Sequence, residues 1–497
     1  MSTRRLTILA VLLVLVALPA GAHVGSPNVF FEGAAGPWPV RVIVRPPAVI
    51  PGLAEVTVRV KEGVPQRVLM QPVQWNAGLQ GAPPPDVAQP VQGDQELWSA
   101  QLWIMTAGSY SVRVQIAGPA GSGTAVVPLA AVRMRTLEMQ RATGIALAVL
   151  GLLLVAGAVT IVGAAVRESV LPPGEEPDIQ RRRRARLAVV GAALLLTLAL
   201  FGGRHWWNNV DAEYREKLYR PLQAAAATHR AGDARVLSLE ITDPRWRDGD
   251  RSPLTPDHGK LMHLFLLREP GLDAFAHLHP VPEDDTQDRF EVRLPPLPAG
   301  RYRLYADIVH ETGFAETVTT SVDVIAPLRG IPAEGPGGPH PDPDDSWRLG
   351  GDSRLEDGST MTWERGPEPL TAGREVELRF TVQDPAGRPA VLEPYMGMMS
   401  HAVISRDDGK VFVHLHPVGS FSMAAQEAFA RQEPGAGMAG MPEMDHAGHT
   451  GMAPSEVSFP YEFPQPGRYK LWVQVKMGGA VRTGVFEAEV RPAASIQ

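Results

Sequence analysis

The sequence predicts a mainly β protein: three immunoglobulin-like β-sandwich modules outside a membrane, plus a two-helix transmembrane hairpin. Three observations predict it. Gly-x-Tyr opens an alternating strand three times, in AGSYSVRVQI from Ala107, AGRYRLYADI from Ala299 and PGRYKLWVQV from Pro466, as at the turn into a late strand of a sandwich. Elsewhere apolar residues alternate with period two, as Val56, Val58 and Val60 do, between clusters rich in Pro and Gly. Two runs, 142–166 and 187–203, carry no charged residue and are long and apolar enough to span a bilayer.

In chain order, residues 1–22 read as a signal peptide: Arg4 and Arg5, an apolar run from Leu6 to Leu18, then Ala20, Gly21 and Ala22 before a cleavage site. Residues 23–140 form the first sandwich. The helix at 142–166 leads into a loop, 167–186, with Arg167, Arg181, Arg182, Arg183, Arg184 and Arg186. Positive residues in a short loop mark the cytoplasmic side, so the chain sits in the cell (inner, cytoplasmic) membrane with both large regions outside. The second helix, 187–203, ends beside Trp206 and Trp207, which suit the outer interface. Residues 206–232 then read as a helical stalk. The second sandwich occupies 234–327, a Pro/Gly linker 328–346, and the third sandwich 347–490.

Lys plus Arg number 47 against Asp plus Glu 54, which gives no reason to expect nucleic acid as a partner. Cysteine is absent. That excludes disulfides, thiolate zinc sites, covalent c-type haem, cysteine nucleophiles and the thiolate-ligated blue-copper centre. Any metal must be held by His, Met or carboxylate.

One stretch occurs twice: MHLFLLREPGLDAFAHLHP at 262–280 and MSHAVISRDDGKVFVHLHP at 399–417. Each is a hairpin with histidines on both arms. Folding about Gly271 sets His263 across from His279, and the Asp408-Gly409 turn sets His401 across from His416. Residues two apart on a strand share a face, so His277 joins His279 and His414 joins His416. With cross-strand Cβ atoms about 5 Å apart, three imidazoles per hairpin can meet one ion. The competing reading is an exposed polar face, with Ala276, Leu278, Val413 and Leu415 on the buried side and the histidines pointing outward.

Aligning the tyrosines sets His310 opposite Met477 in the repeat and offers each as a fourth ligand. Strand parity argues against it, because both share the inward face of the tyrosines. The third module also carries GAGMAGMPEMDHAGHTGM, with Met438, Met441, Met444, His446, His449 and Met452. Thioethers suit Cu(I) and imidazoles extend the set to Cu(II), and Gly, Pro and Asp around them do not read as a core. Copper is the expected ion, with zinc as the alternative.

The hairpins with their following Gly-x-Tyr strands, KLMHLFLLREPGLDAFAHLHP with LPAGRYRLYADI and LEPYMGMMSHAVISRDDGKVFVHLHP with PGRYKLWVQV, resemble those of secreted bacterial β-sandwich proteins grouped around YtkA-like and FixH-like domains. The resemblance covers most of the two C-terminal modules. It implies a cell-envelope module with a copper or heavy-metal role. The expected function is therefore a membrane-anchored periplasmic or extracytoplasmic metal-binding protein in metal homeostasis, resistance or delivery, with an envelope metal-handling protein or oxidase as partner. The alternative is a non-catalytic envelope protein whose sandwiches dock a protein partner without metal. No nucleophile, base and oxyanion constellation is recognisable, so catalysis is not expected.

Overall fold

The computed structural model describes residues 28–172, 174–232, 234–247, 252–326, 339–432 and 455–493. The signal segment expected at 1–22 lies outside them, as do the methionines and histidines of 438–452. The described residues are mainly β with two long apolar helices, and the chain divides into two compact units.

The unit Arg133–Tyr219 is helical. Helices α1 (Arg141–Glu168) and α2 (Ile179–Glu216) are long and apolar enough to cross a membrane. They pack closely: a Cβ on Gly163 would lie 2.6 Å from Val189 Cγ2. Two expectations are corrected here. The arginines from 181 to 186 are not loop but the first turns of α2, because the Asp178 carboxylate caps the helix by accepting from the Arg181 amide at 2.7 Å. At the other end α2 runs on to Glu216, supported by i,i+4 pairs Asp211–Arg215 at 2.7 Å and Glu213–Lys217 at 2.5 Å. The expected stalk stops there. Ala224–Ala231, read as helix from its alanines, is a strand paired with Ala234–Ile241, so sheet pairing overrides alanine's helix propensity.

The other unit holds three sandwiches. The first, 29–131, sets a five-stranded sheet against a four-stranded one. The second and third each devote a five-stranded sheet to the site. In the second, β1 (His263–Arg268) lies between β2 (Ala274–Leu278) and β3 (Gly300–Val309). In the third, β4 (His401–Arg406) lies between β5 (Phe412–Leu415) and β6 (Gly467–Met477). The outer edge of β2 is covered by Ser346–Leu349, with Ala276 opposite Trp347. The first residues assigned to the third module thus complete the sheet of the second, where they protect an otherwise open edge.

The Gly-x-Tyr repeats have a common cause. Gly108, Gly300 and Gly467 adopt φ of 142°, 146° and 142°, which side-chain-bearing residues rarely adopt. The tyrosine that follows bonds to the residue four positions upstream: Tyr110 to Thr106 at 2.8 Å, Tyr302 to the Pro298 carbonyl at 2.9 Å and Tyr469 to the Gln465 carbonyl at 2.7 Å. Each is a tyrosine corner that starts a late strand.

The two hairpin-bearing sheets meet face to face through Phe265, Leu267, Phe275, Tyr305, Val403, Phe412, Trp472 and Val485. Equivalent residues of the repeat make equivalent contacts. Phe275 stacks on Trp472 with centroids 5.0 Å apart, and its counterpart Phe412 stacks on Tyr305 at 3.9 Å. Lys470 donates to the Leu272 carbonyl at 3.1 Å, and its counterpart Arg303 donates to the Asp408 carbonyl at 2.9 Å. The pairing is that of a pseudo-two-fold interface.

Candidate metal centre

The register of each hairpin sets its histidines side by side. Leu264 pairs with Leu278 and Ala402 with Leu415, so His263 comes beside His279 and His401 beside His416. These faces point away from their own sandwich cores. They are nevertheless not exposed, because each covers the other: His263, His277, His279, His401 and His416 are all buried, and the His414 side chain is 7% exposed. The two expected three-histidine sites are therefore one continuous cluster. Ring centroids of His263 and His277 lie 5.4 and 5.6 Å from that of His414, which is 5.4 Å from His401 and 4.6 Å from His416.

A seventh histidine completes it. His258 stands 5.0 Å from His416, 5.4 Å from His401 and 6.3 Å from His263, ring to ring. It sits in a tight turn at φ 51°, followed by Gly259 at 77°, and the third module repeats that turn with Met396 at 50° and Gly397 at 77°. The sequence signal was a glycine four residues before the first histidine of both hairpins.

Within the cluster two groups have ring nitrogens within 4.8 Å of one another: His263, His277 and His279, and His258, His401 and His416. The second trio draws on both sandwiches. A third group, His279 with Asp342 and Asp345, is tied up by partners, since Asp345 accepts from the His279 ring at 3.0 Å and Asp342 pairs with Lys260 at 2.5 Å.

Outer acceptors fix which nitrogen of each ring carries the proton. His263 Nε2 donates to the Asp257 carbonyl at 3.2 Å, His277 Nδ1 to Gln474 Oε1 at 3.0 Å, His279 Nδ1 to Asp345 Oδ1 at 3.0 Å and His416 Nδ1 to the Phe421 carbonyl at 3.0 Å. His414 Nδ1 faces Asp307 Oδ2 at 3.4 Å. Each assignment leaves the other nitrogen as a lone pair turned into the cluster, the arrangement in which metal-ligating histidines are usually held. Two consequences follow. His263 Nδ1 and His277 Nε2, both acceptors, confront each other at 3.2 Å. And His258 Nε2, His279 Nε2, both nitrogens of His401, His414 Nε2 and His416 Nε2 are buried with no hydrogen-bond partner. At roughly 1–3 kcal/mol for each such atom, the total is comparable to the whole stability of a domain.

Protons are poor occupants of this space. Burial, reinforced by the neighbouring rings, holds His263, His277, His401 and His414 well below the ordinary imidazole value and His416 at about 4. These five rings are thus neutral at physiological pH, as ligands must be. Burial raises Asp307 to about 7 against the pull of Thr317, whose hydroxyl donates to it at 2.6 Å.

Two of the sequence candidates lie elsewhere. The His310 ring faces two acceptors away from the cluster, Ser252 O and Glu316 Oε1, each at 2.9 Å, beside Trp246. Met477 is packed in the core of the third sandwich. Met477 lies on the core face of β6, and His310 falls one residue past the end of β3, bridged to Leu254. The residues that β3 and β6 do present to the cluster are Asp307 and Gln474, the register partners of His263 and His401. Met438, Met441, Met444, His446, His449 and Met452 lie outside the described residues.

The first sandwich also reaches the site. Its edge strand Val29–Ala35 grips the segment after His416: the Glu32 amide donates to Val418 O at 2.7 Å and the Ser420 amide to Phe30 O at 3.0 Å. Phe31 packs on Phe421, whose carbonyl holds the His416 ring.

Fold and site define a class of paired β-sandwiches that enclose a shared polyhistidine cluster. The model of a family described as a domain of unknown function, DUF8832, matches residues 222–326 and 353–492, most of the second and third sandwiches. No curated protein matches the chain. Among solved structures, dimeric latent PorU from Porphyromonas gingivalis is similar at 10% identity and TM-score 0.15, over 94% of this chain and 34% of that one. The native conformation of E. coli alpha-2-macroglobulin is similar at 10% identity and TM-score 0.18, over 95% of this chain and 23% of that one. A putative membrane anchored protein from Corynebacterium diphtheriae is similar at 10% identity and TM-score 0.13, over 95% and 97%. The chain thus spans about a third or less of the first two, and likenesses this distant carry no functional argument.

Proposed function

We propose that this chain is a membrane-anchored metal-binding protein of the cell envelope, that its ion is copper, and that the seven-histidine cluster holds it. The observation that carries the reading is the set of six buried, unpartnered ring nitrogens at one interface. A neutral imidazole-rich donor set without thiolate suits copper first and zinc second. Asp257, Gln474, Asp345 and Phe421 supply the acceptors that aim these rings. Helices α1 and α2 supply the anchor, and the arginines at the start of α2 favour a cytoplasmic position for that end, with the sandwiches outside. The task that fits is copper homeostasis, resistance or delivery to an envelope partner.

The test is metal retention by the full chain in detergent, offered Cu(I), Cu(II) and Zn(II) in competition, against a His277→Ala/His279→Ala/His401→Ala/His416→Ala variant. Copper retained by the first and lost by the second supports the reading. Retention of no metal by the native chain overturns it and favours docking of a protein partner by the sandwiches.

A further inference from the structure

We propose that the cluster is a dinuclear centre: one ion held by His263, His277 and His279, a second by His258, His401 and His416, with His414 between them. This rests on the metal reading above and adds the number of ions and their division. Each trio brings its ring nitrogens within 4.8 Å of one another, whereas among the described residues no such group mixes the two trios.

The unpartnered nitrogens require both ions. An ion in the first trio alone relieves His279 Nε2 and the confrontation of His263 Nδ1 with His277 Nε2, but leaves His258, His401 and His416 with buried nitrogens unmatched. An ion in the second trio alone leaves the opposite set. Seven rings also exceed what one copper or zinc ion takes in proteins, which is usually four ligands. Seven donors divide as four and three, because His414, whose Nδ1 faces Asp307 Oδ2 at 3.4 Å, turns Nε2 into the cluster without a partner and can serve one ion at a time. One of the two ions therefore keeps an open position.

The pseudo-symmetry of the interface gives the two sites reciprocal support. Gln474 of the third sandwich orients His277 of the second, and Asp307 of the second faces His414 of the third. These are equivalent positions of the repeat. Both sites thus lie at the same interface, where the His258 and His263 rings of the two trios stand 6.3 Å apart, close enough for two Cu(II) ions to interact magnetically.

The experiment uses the full chain in detergent, with the methionines and histidines of 438–452 replaced by alanine so that only the cluster is counted. Stripped protein is loaded with Cu(II), desalted and analysed for copper per chain and by electron paramagnetic resonance. Two coppers per chain are expected, with a dipole-broadened spectrum. His279→Gln and His416→Gln should each lower the ratio to one and give an ordinary isolated Cu(II) spectrum. One copper in the parent chain overturns the dinuclear centre and leaves the metal reading standing, whereas zero copper overturns that reading itself. Two coppers in both variants, or an isolated spectrum in the parent, also overturn the dinuclear centre. The parent ratio decides even if a variant fails to fold.

Discussion

The side-chain amide of Gln474 accepts a hydrogen bond from the ring of His277 at 3.0 Å, although the two belong to different sandwiches and lie 197 residues apart. The bond fixes the ring's proton on Nδ1 and turns Nε2 toward His263. Gln474→Leu removes the nearer acceptor at similar volume, with the Tyr395 hydroxyl left 3.2 Å from the same nitrogen, and an orienting partner of this kind is worth about 10–100-fold in metal affinity. Copper affinity, measured by chelator competition, should fall by that factor while the unfolding midpoint of the metal-free protein changes little. Unchanged affinity would show that Gln474 does not orient the site.

Trp472 is buried against Phe275 at the interface that encloses the cluster. Trp472→Ala should cost about 3–5 kcal/mol in denaturant unfolding. It should also weaken copper retention, since the second trio spans the interface. A loss below about 1 kcal/mol would mean that the two sheets do not depend on each other.

Acid should destabilise the metal-free protein. Groups whose folded value is depressed bind fewer protons than in the unfolded chain, so stability is full above 6.5 and falls as pH drops toward the folded value. His416, at about 4 rather than 6.5, accounts for roughly 3 kcal/mol of that loss, and His263, His277, His401 and His414 act in the same direction. Asp307 acts oppositely between 3.8 and about 7, because its raised value favours the folded state as pH falls. Five histidines against one carboxyl give a net loss. Thermal unfolding from pH 7 to pH 4.5 should show a falling midpoint, and bound copper should oppose the fall near neutrality; a flat or rising midpoint would contradict the burial of neutral rings.

Gly467→Ala should cost more than about 1 kcal/mol, since φ there is 142° and the new Cβ would lie 3.1 Å from Arg406 Cδ. Gly366, with open space around it, provides the contrast: alanine there should be neutral or slightly stabilising. Equal effects at the two positions would remove the conformational explanation for the Gly-x-Tyr repeat.

Much of this architecture is written in local chemistry. Period-two alternation, the Gly-x-Tyr corners and the uncharged runs are short-range signals, and they lead directly to sandwiches and long apolar helices. Hairpin register is equally local, because Gly271 and the Asp408-Gly409 pair determine which histidines face each other. What brings His258 to His401, or Gln474 to His277, is the docking of two modules, and no periodicity in either records it. The same docking turns apparently outward histidines into buried ones. Parity did carry a usable signal: it argued against His310 and Met477, which the sequence still offered as ligands, and the opposite parity identifies Asp307 and Gln474. Arg181 to Arg186 and the alanines of 224–231 show the converse, where a helix cap and a strand partner decide against charge pattern and propensity.

The central claim is most directly tested by X-ray absorption at the copper edge on the copper-loaded full chain with the 438–452 segment intact. A buried histidine centre predicts a coordination shell of nitrogen donors with imidazole outer-shell scattering and no sulfur. A shell dominated by sulfur would place the copper on the methionines of that segment and contradict the histidine cluster as the site.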